Sequence, residues 1–192
     1  MSKVYKFGLG ILTVLAGVSI GASAAYSWAI NSRGYNVPPA YVHAYSGFSS
    51  ETKSAISAAC GQWNTAGAGS LCFSSLPEHS LTTYPFANNE NDITRGNRGT
   101  NTYLMQTSTM TNSNNKIVEA DIDINVSYPF ANDGSSGNYD IGGNITHELG
   151  HLLGLEHSVD PEATMYGQSP MGETKKRTIE QDDKNGILFL YK

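Results

Sequence analysis

A single domain mixing helices with strands is predicted by three stretches of the sequence. Residues 116–126, KIVEADIDINV, alternate apolar and acidic side chains, the period-two pattern of a strand. Residues 49–63 carry Ile56, Ala59, Cys60 and Trp63 at helical spacing, an amphipathic stripe. Residues 147–151, HELGH, set two histidines four apart, on one face if the segment is helical. A chain of 192 residues holds one domain and is short for two.

The first stretch stands apart from that domain. Lys3 and Lys6 precede an apolar run from Phe7 to Ile20, and Ala22-Ser23-Ala24-Ala25 follows with the small residues a signal peptidase needs. Residues 1–25 are expected to be a signal peptide, with an uncleaved anchor as the alternative, and residues 26–192 the mature domain. Cleavage would remove two of the twelve basic residues and none of the seventeen acidic ones. The acidic product would be secreted or periplasmic, without a membrane span. Its few scattered Lys and Arg argue against a nucleic-acid binder, which would show a basic stripe.

The remaining elements follow in order. Trp28 to Ser46 should supply a first strand around Pro38-Pro39. Ser49 or Ser50 should cap the helix that contains Cys60. LCFSSL at 71–76 then reads as a strand. In an oxidising compartment Cys60 and Cys72 are expected to pair, a reactive or metal-binding thiol being the alternative. Residues 77–115 are rich in Asn, Thr, Ser and Gly, with a strand expected at Thr102 to Gln106. In the alternating strand, Val118, Ala120, Ile122, Ile124 and Val126 share one face. Glu119, Asp121, Asp123 and Asn125 share the other, which is expected to be solvated. That acidic face lacks the Gly and distal Glu of a helix-loop-helix calcium loop, so a calcium ion has no clear motif to support it. YPFAN occurs at both 84 and 128, too short to mark a structural repeat.

The chemistry concentrates at 147–157, HELGHLLGLEH. His147 and His151 can present their imidazoles to one metal ion. Gly154 is where the helix can break and the chain reverse, which lets His157 return as a third ligand. Three neutral imidazoles leave the fourth zinc position for water, the arrangement of a catalytic zinc. Glu148 lies beside the first ligand, where its carboxylate can reach that water. Incidental histidines on a surface helix would not also place Gly154 and His157.

HExxHxxGxxH followed by a methionine, here Met165 in ATMYG, resembles the signature of the metzincin metallopeptidases. Ser158 after the third histidine, the spacing of HSVDPEATMY and Tyr166 after the methionine are similar to the matrixins, peptidase family M10. TIEQDDKNGILFLY resembles the last helix of the matrixin catalytic domain, and looser similarity reaches back through EADIDIN to AISAACGQW.

The resemblance implies an α+β zincin-like fold: a twisted mixed sheet, a backing helix, an active-site helix and a C-terminal helix. It implies a zinc metalloendopeptidase in which Glu148 acts as general base toward a water activated by the one catalytic ion; the secreted chain is expected to be a monomer. The protein or peptide substrate would lie extended along an edge strand. Met165 would form a hydrophobic floor beneath the histidines. By the same resemblance Asp183 would brace the methionine turn and Asp182 could bind an N-terminal ammonium; Thr178 and Gln181 are themselves spaced as a capping box. The alternative for Asp182 is a first-turn residue favoured by the helix dipole.

The sequence also departs from the family. The PRCGxPD cysteine switch is missing, and only His43 and His79 lie outside the motif, too few for the vertebrate structural zinc. Gly167-Gln168-Ser169 stands where matrixins have Pro-x-Tyr. The competing functional reading is a zinc-bearing binding or adhesion module that keeps the fold without turnover. Retention of Glu148 speaks for the enzyme.

Overall fold

The computed structural model describes residues 29–30, 34, 40–67, 72–80 and 87–191. The expected signal peptide and most of the first YPFAN copy lie outside the described residues. Among the described residues no helix is long and apolar enough to cross a membrane.

The architecture is α+β. Strands β1 (Ala29–Ile30) and β2 (Ala40–Tyr45) precede helix α1 (Ser50–Ala66) and strand β3 (Cys72–His79). Next come β4 (Asp92–Gly96), β5 (Met105–Thr111), β6 (Ile117–Asn125), β7 (Phe130–Ala131) and β8 (Tyr139–Asp140). Helix α2 (Ile141–Leu152), β9 (Leu155–Glu156), a 3-10 turn (Lys175–Arg177) and helix α3 (Gln181–Tyr191) complete the order. The main sheet has five strands in the order β3-β2-β4-β6-β5. Its first four strands run parallel, and β5 pairs antiparallel with β6 as an edge strand.

Several boundaries depart from the sequence reading. The single strand expected over Trp28 to Ser46 is two, β1 and β2, which join different sheets. The strand expected at Thr102 to Gln106 begins at Met105 and runs to Thr111. The Thr178–Gln181 capping box does not form. Asp183 instead reaches back, its carboxylate accepting the Glu180 N–H at 3.3 Å just ahead of α3.

The expected Cys60–Cys72 disulfide is not formed, because Cys60 is a free thiol on the buried stripe of α1. The side chain of Cys72 lies outside the described residues. A cysteine buried among apolar neighbours packs as a small hydrophobe and needs no bridge to hold its place.

The two main helices are fixed by local chemistry and then by burial. Ser49 caps α1, its hydroxyl accepting the Thr52 N–H at 3.3 Å. The α1 stripe buries Ile56, Ala59, Cys60 and Trp63 as the spacing predicts. Asp140 caps α2 by accepting the Gly143 N–H at 2.6 Å, and Arg177 Nε donates to the same carboxylate at 3.0 Å. Helix α1 packs on α2 and β3, and α2 packs on β5 and β6. Buried Ala120, Ile122 and Ile124 of β6 share one apolar core with Ile56, Trp63, Ile145 and Leu149.

The other face of β6 overturns an expectation. Glu119, Asp121, Asp123 and Asn125 are all buried rather than solvated. The reason lies in the segment from Asn88 to Tyr103, which supplies the donors that water would otherwise provide. Glu119 accepts the Asn89 N–H at 2.6 Å, and Asp121 accepts the Asp92 N–H at 3.0 Å. Asp123 accepts from Thr94 Oγ1 at 2.9 Å, Arg98 Nε at 2.7 Å and the Tyr103 hydroxyl at 2.9 Å. Asn125 donates to the carbonyls of Gly99 and Tyr103, both at 2.9 Å. From Glu119 to Asn125 period-two alternation therefore stands for two buried faces, one apolar and one hydrogen-bonded, while Val118 and Val126 at the ends of the apolar face are exposed.

Removing one member of this ladder leaves several donors stranded. Asp123→Ala should lower the unfolding free energy by about 3 kcal/mol, the cost of breaking a buried charged pair. Urea denaturation checks it, and a loss below about 1 kcal/mol would mean that water replaces the carboxylate.

Candidate metal centre

Helix α2 carries His147 and His151 one turn apart and ends at Leu152. Gly154 then adopts φ 105°, a left-handed conformation that disfavours a side chain, and its N–H donates to the His151 carbonyl at 2.9 Å. The reversed chain forms β9 and delivers His157 to the other two histidines. The three ring centroids stand 4.8, 4.9 and 5.2 Å apart. One ligand atom from each ring lies within 4.8 Å of the others, a group that could hold a metal ion.

The protonation of two rings is set by backbone. His147 Nδ1 lies 2.8 Å from the Thr164 carbonyl and His151 Nδ1 lies 2.8 Å from the Leu155 carbonyl. A carbonyl only accepts, so each Nδ1 holds the proton and each Nε2 keeps a bare lone pair. Burial pushes the His147 pKa well below the ordinary histidine value and also lowers those of His151 and His157. Neutral imidazoles with bare nitrogens fit the donor chemistry of zinc.

Glu148 sits beside them, buried, and burial pushes its carboxyl up to about 7. The Thr107 hydroxyl, on β5, donates to Glu148 Oε2 at 2.6 Å. Met165 is buried with its sulfur against α2. A Cβ at Gly150 would stand 2.2 Å from Met165 Sδ and 2.8 Å from Trp63 Cζ2. Trp63 Nε1 also donates to the Thr146 carbonyl at 2.8 Å, locking α1 onto the ligand helix.

The turn that carries Met165 is held from α3. Asp183 Oδ2 accepts the Thr164 N–H at 2.7 Å and Asp183 Oδ1 accepts the Met165 N–H at 3.0 Å. Asp182 Oδ2 accepts the Ser158 hydroxyl at 2.8 Å, directly after the third histidine. His43 stands apart from the motif, with Nδ1 3.2 Å from Glu90 Oε2.

Sequence reasoning missed four contributors. Thr107 and Lys176 reach the site from distant segments, and Gly150 and Trp63 act through close packing. The Lys176 ammonium donates to the Tyr166 carbonyl and lies 3.4 Å from His147 Nδ1, and burial lowers its pKa to about 8. Gly167, noted as a departure, has a local reason. A Cβ there would lie 3.3 Å from His157 Nδ1, so a side chain would crowd the third ring. For Gly150 a signal was present in HELGH, since glycine inside a helix asks for a close neighbour.

A sequence model of the matrixin family matches residues 40–192, and the chain belongs to that family. The chain is 44% identical to human neutrophil collagenase over 57 residues, 30% of this chain and 12% of that protein. It is 50% identical to human matrilysin over 46 residues, 24% of this chain and 17% of that protein. With metalloendoproteinase 1 of Glycine max it shares 47% over 53 residues, 28% of this chain and 17% of the relative. The chain thus spans less than a fifth of the length of each of these relatives.

The lowered histidine pKa values carry a pH dependence. Protons compete with a metal only below the pKa of its ligands, and these lie under the ordinary 6.5. Zinc affinity should therefore stay flat as pH falls toward 6.5 and drop only beyond it. Competition with a chromophoric chelator from pH 8 to 5 measures this, and a steep loss already above pH 7 would contradict it.

The packing makes a separate forecast. Gly150→Ala drives a methyl group into Met165 Sδ and Trp63, an overpacking that should cost about 2 kcal/mol. Thermal unfolding of the metal-free protein reads it, and an unchanged midpoint would show that the two helices can part freely.

Proposed function

We propose that this protein is an exported zinc endopeptidase that cleaves peptide bonds in extended segments of protein substrates. The observation that carries the reading is the pairing of three neutral imidazoles with a buried carboxylate tuned close to neutrality. His147, His151 and His157 would hold the ion. When bound, zinc supplies Lewis acidity, polarising a carbonyl and making a water easier to deprotonate. Glu148 takes the proton from the attacking water at its carboxylate and hands it to the departing amine. A base with a pKa of about 7 both accepts and returns a proton near neutral pH. The low-dielectric surroundings that raise this pKa also exclude competing solvent.

Substrate docking follows from the sheet. Strand β5 is an edge strand that packs on α2, so an extended peptide laid along it would run past Glu148. Main-chain hydrogen bonds along such an edge select extended backbone before side chain. Met165 serves as the apolar floor and Asp183 as the brace of its turn. Asp182, engaged by Ser158, ties the third histidine to α3. The basic start, apolar run and small-residue exit of residues 1–25 support export, after which the mature domain would act as a monomer.

Two variants test the assignment. Glu148→Ala should retain one zinc per chain and lose at least about a hundredfold in turnover of an internally quenched peptide. His151→Ala should lose the zinc as well. Near-native turnover by the Glu148 variant would refute Glu148 as the base, and an inactive wild-type protein with full zinc would refute the enzyme and leave a zinc-bearing binding module.

A further inference from the structure

The geometry points to Thr107 as the residue that positions the Glu148 carboxylate for proton transfer, a role that rests on the endopeptidase reading. Thr107 lies on β5, opposite Ile122 in the register with β6. Its hydroxyl oxygen is 2.6 Å from Glu148 Oε2 and 3.1 Å from the Glu148 carbonyl. A hydroxyl has one proton, and the charged oxygen at the shorter distance takes it. Among the described residues this is the hydrogen bond made to the Glu148 carboxylate.

A glutamate carboxylate turns freely about its last torsion unless something holds it. Fixing Oε2 toward β5 leaves Oε1 as the atom that accepts the proton. Misplacing a catalytic group by about 1 Å can cost about a hundredfold, so this anchor acts on turnover. Thr107 also ties the base to the strand proposed to receive the substrate. Substrate register and base position are then set by one backbone element.

The experiment compares Thr107→Val, which keeps the shape and removes the hydroxyl, with Thr107→Ser, which keeps the hydroxyl. Thr107→Val should lower kcat about tenfold with KM within about twofold, and Thr107→Ser should stay within about threefold of wild type. Zinc content should be unchanged in both. In a Glu148→Ala background, Thr107→Val should cause no further loss, since the group it positions is gone. A readout apart from turnover is the 13C resonance of the Glu148 side-chain carboxyl in metal-free and zinc-loaded protein. That resonance should move in Thr107→Val and return in Thr107→Ser.

Equal losses in the two variants, or a loss explained by missing zinc, would show a packing role and overturn the proposal. An unmoved resonance or an unchanged kcat in Thr107→Val would overturn it as well. Inactivity of the zinc-loaded wild type would remove the endopeptidase reading and this role together. An active wild type indifferent to Thr107→Val would remove this role alone.

Discussion

The site depends on two backbone carbonyls, those of Thr164 and Leu155, which take the Nδ1 protons of His147 and His151. With those protons turned away, two bare nitrogens face a common point. Neither carbonyl belongs to the helix that carries the rings, so each has to be aimed by another part of the fold. Asp183 of α3 grips the Thr164 N–H, which fixes the first. The pairing of β9 with β1 fixes the second, because Leu155 is paired with Ile30. The C-terminal helix and the N-terminal strand thus act on the histidines without touching them.

Burial does the electrostatic part of the same task. Helix α2 is sunk among α1, β5, β6 and the Met165 turn, and Gly150 lets sulfur and indole approach its backbone. The depth that close packing achieves keeps the histidines neutral and raises Glu148 to about 7. Nearby Lys176 works in the same direction on the rings, its positive charge opposing their protonation. Stability and the tuning of these groups therefore draw on one feature, the burial of a helix with polar side chains. The groups not turned toward the centre have assigned partners: the His147 and His151 Nδ1 atoms, Glu148 Oε2 and the Thr146 hydroxyl.

What was legible in the sequence was local. Two histidines four apart on a helix, a glycine able to reverse the chain and a third histidine three residues on define a cluster without tertiary knowledge. The α1 stripe and the β6 alternation were legible for the same reason. The acidic face of β6 was misread because alternation separates two faces and does not say whether water or protein donors meet the polar one. Here Asn88 to Tyr103 folds over it. The disulfide expectation failed on a similar gap, since closeness in sequence does not by itself join two thiols, and Cys60 is a free, buried one. Thr107 sits in the polar run TSTMT, where nothing distinguishes it from its neighbours until β5 is laid beside α2.

The pairing of β1 with β9 bears on where this domain begins. Similarity to the family starts at residue 40, yet the strand laid against Leu155 and Glu156 comes from Ala29 and Ile30. A boundary drawn by resemblance would cut away the partner of the link joining the second and third histidines. It would leave an unpaired edge one residue from His157. The inheritable pattern and the mechanical unit are therefore not the same length, and the longer of the two keeps the three histidines in register.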